Sequence, residues 1–168
     1  MIFNGAYEHT IDAKNRLAIP AQFRERIDVQ RDGRRLYIVP GTPPNTLWIY
    51  TEKYFETITN QFGSGLIRDS NLVAFEQQAF PLIADVEPDS QGRIVMPDWM
   101  LRASGVGREV VVVGVRDHME IRRRDEWEKS LADGNWTSFA DLTQKAREAL
   151  LEEERRRAAI ERPAQWLR

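Results

Sequence analysis

The stretch DAKNRLAIP, Asp12 to Pro20, returns as DSQGRIVMP, Asp89 to Pro97. Each copy places Asp at its start, a turn former before an Arg, three apolar or small residues, and then Pro. Whatever one copy builds, the other must also build, so the fold has to house the same unit twice. The flanks repeat as well. An alternating apolar run precedes each copy, GAYEHTI and FPLIADVEP, and a short amphipathic stretch follows each Pro, AQFRERI and DWMLRA. Two strand-like runs come next, RLYIVP and TLWIYT in the first half, REVVVVGV and HMEIRR in the second. A helix then opens in each half at an N-cap, Thr51 or Asp125, with Phe55 or Trp127 inside it. The order is strand, turn, strand, short helix, strand, strand, helix, twice over.

Asp12 to Arg16 has the form of a three-residue hairpin loop, a type I turn followed by one residue in the left-handed region. That residue is Asn15 in the first copy and Gly92 in the second, the two types that enter this region most readily. Asp12 and Asp89 stand where a carboxylate accepts hydrogen bonds from the turn's own N–H groups. Arg16 and Arg93 open the returning strands, where each can close its loop by pairing with the Asp. Pro20 and Pro97 fit the first turn of a short helix, where a missing N–H costs nothing.

The two copies differ in charge. The first has Lys14 where the second has Gln91, and Arg24 and Arg26 follow on its helix. A tip carrying Lys14 and Arg16 beside a helix with further arginines suits phosphate contact, so the first half is the one expected to touch nucleic acid. A net charge of −2 argues against a generally basic coat but leaves room for such a local patch.

Other function classes find little support. There is no cysteine, which removes disulfides, thiolate metal sites and a cysteine nucleophile. His9 and His118 are the only histidines and read as strand or turn residues. The run GVGREVVVVG, Gly105 to Gly114, superficially suggests a dinucleotide fingerprint, but its glycines precede a strand instead of joining a strand to a helix, so it reads as a turn. Neither GxxxxGK[ST] nor GxSxG occurs, so no enzyme is expected. No apolar run nears the roughly 20 residues of a membrane span, and the start lacks a signal-peptide pattern. The expectation is a cytoplasmic protein without a cofactor, metal or small-molecule substrate.

Between the halves, Gly63 to Gly65 mark a break, followed by a helical pattern. Near the end, Phe139, Leu142, Ala146 and Leu150 recur at helical spacing, with Glu152–Arg156 and Glu153–Arg157 at the favourable i,i+4 distance. That charge run reads as a solvated helix surface, and the end around Pro163 as frayed.

GAYEHTIDAKNRLAIPAQFRE together with DSQGRIVMP closely resembles the MraZ family of bacterial transcriptional regulators over roughly residues 2 to 130. Its hallmark is two Asp-x-x-x-Arg motifs, one per repeat, and its halves resemble the AbrB/SpoVT swapped-hairpin domain. The resemblance implies an α+β fold of two pseudo-symmetric repeats sharing a β-rich, barrel-like core, plus a C-terminal helix. The corresponding segments are residues 1–62, a connecting helix-bearing segment 63–78, a second repeat 79–131, and a helix and tail 132–168. It further implies a homo-oligomeric ring that binds short direct repeats of double-stranded DNA upstream of the cell-division and cell-wall operon, on the nucleoid. The family's DNA-contacting Arg falls on Arg16 and its basic neighbour on Lys14, with Arg24 and Arg26 as secondary candidates. Asp12, Asn15, Pro20, Asp89, Gly92, Arg93 and Pro97 are the structural motif residues. Asn15 replaces the usual Gly, and Asn4 stands where many members carry a basic residue. The alternative is an AbrB-like protein-interaction module, antitoxin-like or an assembly ring, without specific DNA binding.

Overall fold

The computed structural model describes residues 1–62, 69–133 and 139–160. The expected break at Gly63 to Gly65 and the end around Pro163 lie outside the described residues. Contacts divide the chain into two units, Met1–Trp127 and Glu128–Arg168. Both copies of the motif therefore belong to one unit.

The first unit begins with β1 (Phe3–Thr10), β2 (Arg16–Ala18), α1 (Ala21–Arg24), α2 (Val29–Asp32), β3 (Leu36–Pro40), β4 (Thr46–Thr51) and α3 (Glu52–Thr59). It continues with α4 (Ser70–Ala79), β5 (Ala84–Val86), β6 (Arg93–Val95), α5 (Asp98–Ser104), β7 (Glu109–Arg116) and β8 (His118–Arg123). Helix α6 (Arg124–Ala132) starts in this unit and ends in the second. The second unit also holds α7 (Phe139–Ile160).

The expected order of strands and helices is present in both halves, with α2 as an addition. Its origin is local. Asp28 accepts from the Gln30 N–H at 2.9 Å, while Asp32 accepts from the Asp28 N–H at 2.8 Å, so a single turn is capped from both sides. Three helix starts differ by one or two residues from the sequence reading. Pro20 and Pro97 occupy the N-cap position itself, still where no N–H is needed. Helix α6 starts at Arg124, which puts Asp125 inside the first turn; its carboxylate pairs with Arg123 at 2.5 Å. Thr51 is the N-cap of α3, yet its hydroxyl makes no capping bond.

Six strands form one antiparallel sheet in the order β1-β7-β8-β4-β3-β5, and β2 pairs with β6 in a separate ladder. The strand that leads into each motif lies outside the other half's pair: β1 beside β7, β5 beside β3. The arms of each motif thus part at the turn. Strand β1 joins the large sheet while β2 crosses to β6, and β5 and β6 divide in the same way.

Side-chain alternation sets two faces. Leu36, Ile38, Leu47, Ile49, Val110, Val112, Met119 and Ile121 point to the main core, where they meet Leu17 and Ile94 of the small ladder together with Phe3, Phe23, Met96 and Met100. Val111, Val113, Trp48, Tyr50, His118 and Glu120 alternate with them. Because Val110 to Val113 are buried on both faces of the strand, β7 reads as an unbroken valine run instead of an alternating one. Full burial of a side chain such as Leu17 or Ile94 stabilises the fold by about 1.5–3 kcal/mol.

Helix α7 shows the expected periodicity, and Glu152–Arg156 and Glu153–Arg157 are ion pairs at 2.6 and 2.5 Å. They are largely solvated, so each contributes only a few tenths of a kcal/mol. Phe139, Leu142 and Leu150 along the same helix are exposed.

Truncating the small ladder tests its weight in the core. Ile94→Ala should lower stability by about 2–4 kcal/mol in urea unfolding at fixed protein concentration. Gln91→Ala, on the exposed turn beside it, should stay within about 0.5 kcal/mol.

Candidate nucleic-acid interface

Both turns close as their sequences require. In the first, the Asp12 N–H donates to the Arg16 carbonyl at 3.0 Å and the Asn15 N–H to the Asp12 carbonyl at 2.9 Å. In the second, the equivalent bonds from Asp89 and Gly92 are both 2.8 Å. Asn15 has φ 59° and Gly92 φ 73°, so the left-handed position falls on these two residues.

Each Asp then organises its loop with one oxygen for the backbone and one for the Arg. Asp12 Oδ1 accepts from the N–H groups of Lys14 and Arg16 at 2.8 and 2.9 Å, and Oδ2 receives the Arg16 guanidinium at 2.7 Å. Asp89 does the same with Gln91 and Arg93, at 2.9, 2.9 and 2.8 Å. The Arg16 guanidinium, joined by the two backbone donors, holds the Asp12 carboxyl down at about 2; Asp89 is lowered for the same reasons. The Asp-x-x-x-Arg pair is therefore a loop-closing device in both copies. Arg16 comes to any ligand already hydrogen-bonded on one side, which fixes where its remaining N–H groups point.

The helix expected beside the first tip lies elsewhere. Strands β2 and β6 are antiparallel, with Arg16 opposite Val95 and Ala18 opposite Arg93. The two tips therefore sit at opposite ends of a short ladder, four residues or ~13 Å apart at strand spacing. The first tip is bonded to the start of α5, where the Met96 N–H donates to the Asn15 carbonyl at 2.8 Å. The second is bonded to the start of α1, where the Ile19 N–H donates to the Gly92 carbonyl at 2.9 Å. Arg24 consequently crosses the second tip. Its side chain fills the space that a Cβ on Gly92 would need, and its Nε donates to the Ile19 carbonyl at 3.2 Å. Arg26 reaches the Ile2 carbonyl, at the end of β1 far from Asp12. Asn4 is at that same end, opposite Val115, so it is remote from the Lys14 tip.

A different arginine completes the first tip. Arg108 lies just before β7, where its carbonyl accepts the Ile11 N–H at 2.9 Å. Its Nη1 donates to the Asp12 carbonyl and, at 2.9 Å, to Asn15 Oδ1. Asn15 Nδ2 in turn makes a long contact, 3.5 Å, with Asp98 of α5, whose other oxygen holds Arg102. Among the described residues of the first unit, Lys14, Arg24, Arg26 and Arg108 are the cations without a carboxylate partner. Three of them were named from sequence. Arg108 was missed because it was read only as part of a turn. Its signal is the second internal match: RDGRRLYIV and GVGREVVVV each put Gly-Arg within two residues of a strand start, and Gly33 and Gly107 both have positive φ.

The histidines are strand residues. His9 lies in β1, and burial lowers its pKa. His118 opens β8 between the rings of Trp48 and Tyr50. Burial works to lower its pKa, but hydrogen bonds to Glu120 at 3.3 Å and Asp117 at 2.7 Å outweigh burial and raise it.

The sequence model of the family described as "MraZ protein, putative antitoxin-like" matches residues 2–70 and again 84–153, one match per copy of the motif. The chain belongs to the MraZ family. The second match runs past the residues that carried the resemblance, into α7, so that helix is part of the family pattern. The transcriptional regulator MraZ of Moorella thermoacetica is 34% identical over 128 residues, covering 76% of this chain and 85% of the relative. That of Acetivibrio thermocellus is 30% identical, covering 82% and 92%. The regulator from Desulforamulus reducens is 31% identical, covering 85% and 96%. Family membership thus rests on both repeats and on nearly the full length of the relatives.

The charge state of the first tip is open to direct measurement. In a carboxyl-detected NMR titration Asp12 should have its midpoint near 2, and in Arg16→Ala it should return toward the ordinary value of about 3.9. Since the folded state depresses this pKa, its contribution to stability is present above about pH 4 and fades as pH falls toward 2.

Proposed function

We propose that the protein is a sequence-specific DNA-binding transcriptional regulator. It acts as a ring-shaped homo-oligomer on short direct repeats upstream of the cell-division and cell-wall operon, in the cytoplasm on the nucleoid. The observation that carries this reading is the first tip: Lys14, exposed and without a carboxylate partner, stands beside an Arg16 whose direction is set by Asp12. The names of the relatives support the regulatory role.

In this reading Lys14 and Arg16 lead the contacts, and secondary ones come from Arg24 at the end of α1, across the second tip, and from Arg26, two residues past that helix and beside the start of β1. The modest charge of a single tip is offset by assembly, since several tips matched to repeated boxes gain of order 10²–10⁴ in avidity when the spacing fits. Residues 1–62 and 79–131 act as pseudo-symmetric repeats around a shared, barrel-like core, a reading supported by the strand order, which exchanges the halves when read from the other end. No enzyme activity belongs to this reading.

An apolar hollow of about 350 Å³ on the same unit, lined by Trp48, Tyr50, Phe55, Phe75, Phe80 and Leu82 among others, supports protein contact. It also favours the second reading, an interaction module without specific DNA binding. Fluorescence anisotropy separates the two. A duplex of direct repeats from upstream of the protein's own gene should bind at least about tenfold more tightly than a scrambled duplex, and more weakly as salt rises. Arg16→Ala should abolish that preference with the assembly intact by light scattering. Equal binding of both duplexes by the wild-type protein would leave the interaction module.

A further inference from the structure

Arg108 is 96 residues from Asp12 in sequence, yet it is fixed to the first tip at three points. Its own carbonyl holds the Ile11 N–H, and its Nη1 holds the Asp12 carbonyl and Asn15 Oδ1. These contacts occupy one terminal nitrogen of the guanidinium. No carboxylate among the described residues takes the remaining N–H groups, and the residue is exposed. Glu109, its neighbour, is engaged by Arg124 at 2.9 Å. The acids that do face this tip, Asp12 and Asp98, are held by Arg16 and Arg102.

We propose that Arg108 is a third DNA-contacting cation of the first tip, supplied by the second repeat and aimed by Asn15. This rests on the DNA-binding reading above. A guanidinium anchored on one nitrogen presents its free edge in a set direction, and that planar edge matches a phosphate better than a freely rotating ammonium does. Asn15 gives the anchor a purpose that a glycine could not. Both Asn and Gly satisfy the left-handed backbone at this position, but only Asn brings an acceptor for Arg108. The second tip lacks this arrangement, because Gly92 has no side chain and Arg24 instead lies across it.

The test compares wild type with Arg108→Gln, Arg108→Ala, Asn15→Gly and, as a control on α7, Arg147→Ala, using the full chain. The readouts are anisotropy with the direct-repeat duplex from 50 to 300 mM salt, thermal unfolding and light scattering. Arg108→Gln keeps a donor for Asp12 and Asn15 but carries no charge. It should bind about tenfold more weakly, and the slope of log affinity against log salt should shrink by about one per engaged subunit. Arg108→Ala should do the same. Asn15→Gly should weaken binding less and leave the slope unchanged, since it frees the arginine without removing its charge. Arg147→Ala should match wild type. If Arg108→Gln matches wild type in affinity and slope, or loses affinity with the slope unchanged, Arg108 does not contact DNA while the DNA-binding reading stands. If the wild-type protein shows no specific binding, both proposals fall together. Should Arg108→Ala unfold, the Gln variant decides.

Discussion

The structure depends on the three-residue ladder between β2 and β6. Neither strand pairs with the strand that precedes it in its own motif, so the two copies are held by each other more than by themselves. Arg16 meets Val95, Leu17 meets Ile94, and Ala18 meets Arg93. Leu17 and Ile94 lie fully buried at its centre. Beyond the ladder, the Asn15 carbonyl takes the Met96 N–H and the Gly92 carbonyl takes the Ile19 N–H, which docks each turn onto the other half's helix start. A three-residue strand has little stability alone. Its persistence follows from the core it carries and the turns it ties.

That exchange decides which charges meet. Arg16 and Arg93 belong to their own turns, because an Asp four residues away can always reach them. Arg24 and Arg108 do not. Arg24 is carried onto the second tip by the direction of the ladder, and Arg108 onto the first by the pairing of β1 with β7. A chain with net charge −2 can still present a local cationic tip, since most arginines among the described residues of the first unit pair with nearby acids while Arg24, Arg26 and Arg108 have no carboxylate partner. For phosphate recognition an unpaired cation has no ion pair to share, while a paired one such as Arg16 gains a fixed direction from its partner.

The other face of the sheet has a different character. Trp48 and Tyr50 flank His118, whose two ring nitrogens meet Asp117 and Glu120, and Arg122 holds the second oxygen of Glu120 at 2.5 Å. These buried polar groups satisfy one another beneath an aromatic layer that continues into the hollow between α3 and α4. This layer alternates along β4 and β8 with the core residues Leu47, Ile49, Met119 and Ile121, whereas the tips lie in the turns before β2 and β6.

The sequence by itself determined the local pieces. A left-handed residue at Asn15 and Gly92, an Asp that caps its own turn, an Arg four residues on, and a Pro at the helix start are all set by interactions within a few residues, and motif duplication made them legible twice. The order of strands and helices followed from periodicity for the same reason. What β2 pairs with, which tip α1 stands beside, and how Arg108 reaches Asn15 were decided only by tertiary structure. Strand pairing is a long-range choice: every strand offers the same backbone donors and acceptors, and the winner is set by which arrangement buries Leu17, Ile94 and their neighbours together. Local sequence therefore specified the shape of each tip and the first tip's Lys14 and Arg16, and the packing of one repeat against the other added Arg108 to the first tip and Arg24 to the second.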